Sequence, residues 1–243
     1  MDPDSERLVL AEGVFLCVVE RHAVMLDLKT DTYSAVPLGE DLGDESVSDE
    51  ELERRLLIQL QPHRSTLLDA GVLVSGIAGG ARVSVYRALV SPARHFLGRD
   101  DARCFGLTGD MTRSLRIGFR DVVRFVLASF RASRLLKTRP IGEVVGAVRV
   151  RKARRHAEVA RIDDLRRQVM IFRRLRPLYP RPYLCLFDAL ALVEFLARSG
   201  HFPTWVFGVQ LEPFGAHCWV QIDDRVLNEE TEYAREFTPI MAV

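Results

Sequence analysis

The residues best suited to chemistry lie in the last quarter of the chain, beginning with Cys185. It follows Pro180 and Pro182 and opens a segment that ends at Gly200. Apolar residues recur in this segment at helical spacing: Leu186, Leu190, Val193 and Leu196 or Ala197. A thiol in the first helical turn lies beside unpaired N–H groups and the positive end of the helix dipole, which stabilise a thiolate. Because a nucleophilic cysteine needs a lowered pKa, Cys185 is a candidate nucleophile, with a buried structural cysteine as the alternative.

A histidine follows on a predicted strand. Segments 204–211 and 217–222 are typical of antiparallel strands, and His217 begins the second. A cysteine on a helix, a later histidine on a strand and a polar residue on the next strand form the general arrangement of thiol catalysis. His217 is therefore the candidate base, with a structural histidine at a strand edge as the alternative. Cys218 alternates with His217 and is expected to point into the core.

Two neighbouring residues compete for the role of orienting the His217 ring. A two-residue turn at Asp223 and Asp224 would place Asn228 on the face of His217. A longer loop or a bulge would place Glu229 there instead. Either side chain could hold the imidazole, and a carboxylate would also stabilise the imidazolium, so the pattern leaves both open.

Composition and motifs exclude several other kinds of protein. The four cysteines among 243 residues form no CxxC pair, which favours neither a disulfide framework nor a zinc site. There is no Walker-type nucleotide motif. We therefore expect no metal and no cofactor. The N-terminus does not resemble a secretory signal, and no run approaches the roughly 18 apolar residues of a membrane span, so we expect a cytoplasmic protein without stable membrane insertion.

The charge is distributed unevenly. Residues 1–53 contain fifteen Asp and Glu against three Lys and Arg, whereas residues 113–176 contain nineteen Lys and Arg against five Asp and Glu. The predicted helix at 112–136 has an apolar stripe, which indicates a core-packing helix with a basic outer face. That stripe consists of Leu115, Phe119, Val122, Val123, Val126, Leu127 and Phe130. Without interleaved aromatics or a reader motif, we expect no nucleic-acid partner.

The pattern predicts an α+β chain of two units. Residues 1–78 read as strands at 14–20, 23–28 and 32–36, helices at about 48–60 and 63–70, and a closing segment at 72–74. A glycine-rich linker at 76–80 separates them from a second unit at 79–243. The second unit is predicted to be helical over 79–180, including helices at 83–97 and 112–136. A helix and an antiparallel sheet form its core at 181–243.

The string CLFDALALVEFLARSGHFPTWVFGVQLEPFGAHCWVQIDDRVLNEE at 185–230 resembles the lasso-peptide B proteins. That resemblance implies a transglutaminase-like, papain-related fold and a cysteine peptidase that removes the leader of a ribosomally made precursor peptide. The family's catalytic cysteine and histidine correspond to Cys185 and His217. Glu229 stands where the family has Asp, with Asn228 as the substitute. The resemblance also implies a partner, an asparagine-synthetase-like, ATP-dependent cyclase that closes the macrolactam ring.

The N-terminal third is similar, in its order of elements, to the small winged-helix module of the PqqD family that is fused to many B proteins. There the leader binds as an added strand between the third strand and a helix, a form of β-augmentation. The corresponding elements here are 32–36 and 63–70, which makes Tyr33, Val36 and Leu67 candidate peptide-binding residues. Two alternatives stay open: a transglutaminase or acyltransferase with the same Cys–His chemistry, and a non-catalytic peptide-binding scaffold.

Overall fold

A computed structural model describes residues 7–39, 42, 49–76, 94–95, 115–154 and 162–243. The N-terminal part contains strands β1 (Arg7–Leu10), β2 (Val14–Val19), β3 (His22–Asp27), β4 (Thr32–Pro37) and β5 (Leu73–Gly76), with helices α1 (Asp49–Leu60) and α2 (Arg64–Asp69). Strands β2, β3 and β4 form an antiparallel sheet, and β1 pairs with β5. The other elements lie close to their predicted positions, whereas β1 and its pairing with β5 were not predicted.

Both faces of the three-stranded sheet are buried along β2 and β3. One face, which includes Leu16 and Met25, packs against the leucines of α1 and α2. The opposite face, which includes Cys17, Val24 and Leu26, enters the main core of the chain. Strands β2 and β3 carry near-continuous apolar runs because each has two buried faces. The N-terminal unit therefore shares its core with the rest of the chain.

The remaining helices and strands form the C-terminal part. The helices are α3 (Phe119–Thr138), α4 (Ile141–Ala153), α5 (Ile162–Leu175), α6 (Cys185–Ala197) and α7 (Thr231–Ala234). The strands are β6 (Arg94–His95), β7 (Thr204–Gln210), β8 (Gly215–Ile222), β9 (Arg225–Val226) and β10 (Thr238–Ala242), and the five-stranded sheet has the order β10-β7-β8-β9-β6. Helix α6 packs on β8 and α3. Of the helices described, none is long and apolar enough to cross a membrane.

Gly142, in the first turn of α4, allows the N-terminal sheet to approach closely. A Cβ atom at this position would lie 2.8 Å from the backbone oxygen of Leu28. No real Cβ tolerates such a contact with a backbone atom, so only glycine fits here without movement of the backbone. The close approach ties the sheet to the helices of the C-terminal part.

The predicted helical middle is only partly correct. The helix expected at 83–97 lies mostly outside the described residues, but Arg94 and His95 form strand β6, which pairs in parallel with β9. The helix expected at 112–136 begins at Phe119 and ends at Thr138. Residues 115–118 precede it without helical structure, while 112–114 lie outside the described residues.

The apolar stripe of α3 faces outward, contrary to the prediction. Phe119, Val122, Val123, Val126, Leu127 and Phe130 are all exposed. The buried side carries Phe125 together with Ala128, Ser129 and Ala132, and the small side chains of the last three allow α3 to lie close to α6. Periodicity identified the helix, but it could not show which of two partly apolar faces meets the core, because that depends on the neighbouring helix.

Candidate functional site

Cys185 is the first residue of α6, as the sequence predicted, and its side chain is partly buried. The preceding residue, Leu184, is the N-cap in an extended conformation and has no capping side chain of its own. Its N–H donates instead to Asp188 Oδ2, 2.8 Å away, one turn into the helix. Asp188 thereby fixes the chain at the point where Cys185 enters the helix.

Arg176 holds the loop that leads to Cys185. Its side chain is only 4% exposed and forms an ion pair with Asp188. Its guanidinium also donates to backbone oxygens of this loop: Nη2 donates to Pro182 at 2.9 Å, and both Nη1 and Nη2 donate to Arg181 at 3.1 Å. A buried guanidinium requires such partners, and its planar, many-donor geometry suits it to several at once. Arg176 was not among the residues predicted from the sequence.

His217 lies on a part of β8 that pairs with β7 on one side and with no strand of the described residues on the other. The turn at Asp223 and Asp224 has two residues, and the pairing of β8 with β9 ends at Val226. The next residue, Leu227, still donates its N–H to the Val220 oxygen at 2.8 Å. Asn228 then replaces a backbone carbonyl, since its Oδ1 accepts the Val220 N–H at 2.7 Å. The side chain of Asn228 is thus engaged at the strand edge.

Glu229, the following residue, reaches the histidine. His217 Nε2 lies 2.6 Å from Glu229 Oε2, and both side chains are largely buried. With Nε2 engaged by the carboxylate, the other ring nitrogen, Nδ1, is left for Cys185. Of the two orienters that the sequence left open, the geometry favours Glu229, because the strand pairing ends before Asn228 can face His217.

Aromatic rings enclose the histidine on its other sides. The ring centroids of Phe237 and Tyr233 lie 4.9 and 5.0 Å from that of His217, and Trp219 lies at 6.2 Å. Gly208 pairs with His217 across β7 and β8. A Cβ at Gly208 would lie 2.8 Å from the Trp219 ring and 2.9 Å from Phe237, so glycine keeps room for these rings. The enclosure limits water around the imidazole and strengthens its electrostatic contacts.

The charges of Cys185 and His217 stabilise each other. Hydrogen bonds from the Cys218 thiol and from His217 lower the pKa of Cys185 from 9.0 to about 4, against the opposing effect of burial. Burial opposes the charge of His217, but hydrogen bonds to Cys185 and Glu229 raise its pKa to about 9. Between these two values the site therefore contains a thiolate and an imidazolium, the reactive form of a cysteine nucleophile.

Cys218 is both a core residue and a hydrogen-bond partner of Cys185. It is buried in the core, as its alternation with His217 predicted. Its thiol nevertheless hydrogen-bonds to Cys185, and so does its backbone N–H, which points from the open edge of β8. Burial, followed by the neighbouring Cys185, raises the pKa of Cys218 well above its usual range. Cys218 thus stays protonated and acts as a donor, a contact that alternation could not reveal.

A cavity of about 610 Å³ opens beside the pair. It is large enough for several residues of an extended peptide. Its lining combines Cys185, His217 and Glu229 with Phe172, Arg173, Arg176, Tyr183, Leu184, Asp188, Ala216, Asn228 and Tyr233. Cys185 and His217 thus face one accessible space.

The three candidate peptide-binding residues have different surroundings. Tyr33 is partly buried and packs against the main core, and its ring contacts Phe214. Val36 is also partly buried but packs against the core of the N-terminal unit. Leu67 is 3% exposed inside that core, so its side chain supports the sheet and does not line an open groove.

Within the described ranges, no three His, Cys, Asp or Glu side chains are arranged to hold a metal ion. A second His–carboxylate contact is partly buried: His201 Nε2 lies 2.7 Å from Asp164 Oδ2 and joins the loop before β7 to α5.

Comparison with known proteins gives one match. The model of the transglutaminase-like superfamily matches residues 126–242. The chain therefore carries a transglutaminase-like superfamily domain at these residues, and proteins of this superfamily are typically cysteine-based enzymes. The match begins within α3, well after residue 79, where we predicted that the second unit starts. No curated protein and no solved structure matches the chain significantly.

Proposed function

We propose that the chain is a cysteine peptidase that cleaves the leader from a ribosomally made lasso-peptide precursor. One observation carries this proposal: the Cys185 thiol at a helix N-terminus contacts His217, whose Nε2 lies 2.6 Å from Glu229. The transglutaminase-like domain supports the cysteine chemistry. The resemblance of residues 185–230 to lasso-peptide B proteins supplies the substrate class.

In the proposed reaction, the Cys185 thiolate attacks the carbonyl carbon at the leader–core junction. The thiol proton already resides on His217, which delivers it to the leaving amine as the C–N bond breaks. A water molecule, deprotonated by His217, then hydrolyses the thioester and releases the leader. Glu229 keeps the imidazole oriented and stabilises its charge. The backbone N–H of Cys185 is the proposed donor to the oxyanion.

Leader recognition is proposed for the N-terminal unit, acting as a PqqD-like recognition element. Strand β4 ends the three-stranded sheet, and most of its side chains are exposed. No strand of the described residues pairs with its outer edge. An extended leader added there would form backbone hydrogen bonds along β4, in the manner of β-augmentation. Tyr33 and Val36 point to opposite faces of the sheet, so each would contact the leader side chains on its own face.

The partner proposed for the following step is an ATP-dependent, asparagine-synthetase-like cyclase in the cytoplasm. A macrolactam requires the free amine that leader removal produces, so cleavage must precede ring closure. In this proposal the chain carries out the first step, and the partner activates the carboxylate.

Incubation with a synthetic precursor peptide tests the proposal. Wild-type protein is expected to release leader and core as two masses that sum to the precursor plus one water. Cys185→Ala is expected to bind the labelled leader but produce neither fragment. Cys218→Ala serves as the matched thiol control and retains cleavage. An intact precursor after incubation with the wild type and the partner cyclase, or unimpaired cleavage by Cys185→Ala, would contradict the proposal.

A further inference from the structure

Strand β4 and the hairpin that carries His217 meet at one aromatic contact. The rings of Tyr33 on β4 and Phe214, in the loop between β7 and β8, have centroids 5.8 Å apart at an angle of 64°. This edge-to-face arrangement is favourable for two aromatic rings. It joins residues from the N-terminal unit and from the catalytic hairpin, far apart in sequence.

The two members of the pair differ in exposure. Tyr33 is partly buried and packs against the main core, on whose surface Cys185 also packs. Phe214 is 56% exposed, although it belongs to a hairpin with a well-buried base. A large apolar ring left in water next to a binding site is available to a ligand, and here its neighbour already fixes its orientation.

The pair also lies next to the catalytic cavity. Phe214 precedes Ala216 and His217, both of which line that cavity. Tyr33 also lies near Cys185. Burial, then the Asp31 charge, and then the nearby cysteines Cys218, Cys185 and Cys17 raise the pKa of Tyr33 to about 12, so its hydroxyl stays uncharged near neutral pH. The Tyr33–Phe214 pair is therefore apolar and uncharged.

We propose that Tyr33 and Phe214 form the wall of a subsite for an apolar side chain on the leader side of the scissile bond. This inference rests on the proposed peptidase function, since it assigns a specificity determinant to that same site. In this proposal, a leader strand added to β4 runs past the pair to bring its scissile carbonyl to Cys185. The pair would then select the residue that precedes the cut and align the chain between binding and cleavage.

Alkylation of Cys185 by dipeptidyl chloromethyl ketones tests the subsite without requiring hydrolysis. The thiolate displaces chloride from the reagent, whose side chains occupy the leader side of the site. The compounds compared are the Ala-Ala, Phe-Ala and Ala-Phe ketones, with iodoacetamide as a measure of intrinsic thiol reactivity. In the wild type we expect at least one phenylalanine compound to react about tenfold faster than Ala-Ala, as burial of one aromatic ring allows.

The variants Phe214→Ala and Tyr33→Ala should each reduce that preference to about twofold or less after normalisation to iodoacetamide. Tyr33→Phe keeps the ring and should retain the preference, which separates loss of the wall from loss of the fold. Phe130→Ala removes an equally exposed ring from α3 and should change nothing.

Two results would overturn the subsite: no preference in the wild type, or a preference that survives in both alanine variants. The peptidase proposal has a separate readout, the cleavage of the precursor peptide. If the precursor stays intact while the alkylation preference follows the pair, the subsite is retained and the hydrolytic function is rejected. If the precursor is cleaved but the alkylation preference does not depend on Tyr33 and Phe214, the peptidase function is retained and the subsite is rejected.

Discussion

Replacing Glu229 with glutamine isolates the electrostatic part of the His217 contact. Glutamine keeps a hydrogen-bond acceptor near Nε2 but removes the negative charge. A charged hydrogen bond contributes about 1.5–3 kcal/mol, against about 0.5–1.5 kcal/mol for a neutral one. The imidazolium therefore loses about 1–1.5 kcal/mol of stabilisation, and since one pKa unit equals about 1.4 kcal/mol, the pKa of His217 should fall by about one unit.

The direction of the effect on activity follows from the ionisation of the pair. Below about pH 4, Cys185 is protonated and is no longer a nucleophile. Above about pH 9, His217 loses the proton that the leaving amine needs. Activity should thus be bell-shaped, and Glu229→Gln should move the alkaline limb about one unit toward lower pH. The pH profile of kcat/KM for cleavage of the precursor peptide measures this, because it reports the ionisation of the free enzyme.

Asn228→Ala is the matched control for this experiment. It removes the acceptor of the Val220 N–H at the edge of β8, which should lower Tm but leave the alkaline limb in place. The reasoning is refuted if the limb stays unmoved in Glu229→Gln, or if it shifts in Asn228→Ala, since Asn228 would then be the residue that orients His217.

Three further predictions concern the surroundings of the site. Cys218→Ala should leave Cys185 reactive but raise the midpoint of its alkylation pH profile, because a hydrogen-bond donor to the thiolate is lost; an unchanged midpoint would contradict this. Gly142→Ala should lower the free energy of unfolding by about 1–3 kcal/mol through overpacking. Gly146 lies in the same helix with open space around its Cα, so Gly146→Ala should raise that free energy by about 0.5–1 kcal/mol. Equal denaturation midpoints for the two variants would refute the close contact at Gly142. Arg176→Lys should lower kcat while changing KM little, because the loop before Cys185 loses the donors that hold its Arg181 and Pro182 carbonyls. An unaffected kcat would show that other contacts hold this loop.

The positions of Cys185 at the start of a helix and of His217 on a strand were accessible to prediction because each depends on local pattern. The helical spacing after Cys185 and the strand pattern around His217 both lie within a few residues of the side chain concerned. Glu229 was less accessible, because the choice between it and Asn228 depends on where the pairing of β8 with β9 ends. That point is decided by the Asn228 side chain itself, which takes the place of a backbone carbonyl.

The errors have a common physical origin in tertiary contacts. The outward stripe of α3 carries the larger apolar side chains, but Ala128 and Ala132 permit the closer approach to α6 and therefore form the buried side. The shared core was also missed, although the uninterrupted apolar runs of β2 and β3 were a readable signal of strands buried on both faces. The contact between Tyr33 and Phe214 has no local signature, because it exists only once the N-terminal sheet has packed on the C-terminal part.

Trapping the acyl-enzyme tests the central claim most directly. The precursor peptide is mixed with the wild-type protein, quenched in acid within the first turnover, and the intact protein and its digest are weighed by mass spectrometry. The proposed reaction predicts a mass increase equal to the leader minus one water, located as a thioester on Cys185, together with release of the free core. Cleavage without any adduct on Cys185 across the time course, or an adduct on another cysteine such as Cys218, would contradict the assignment of Cys185 as the nucleophile.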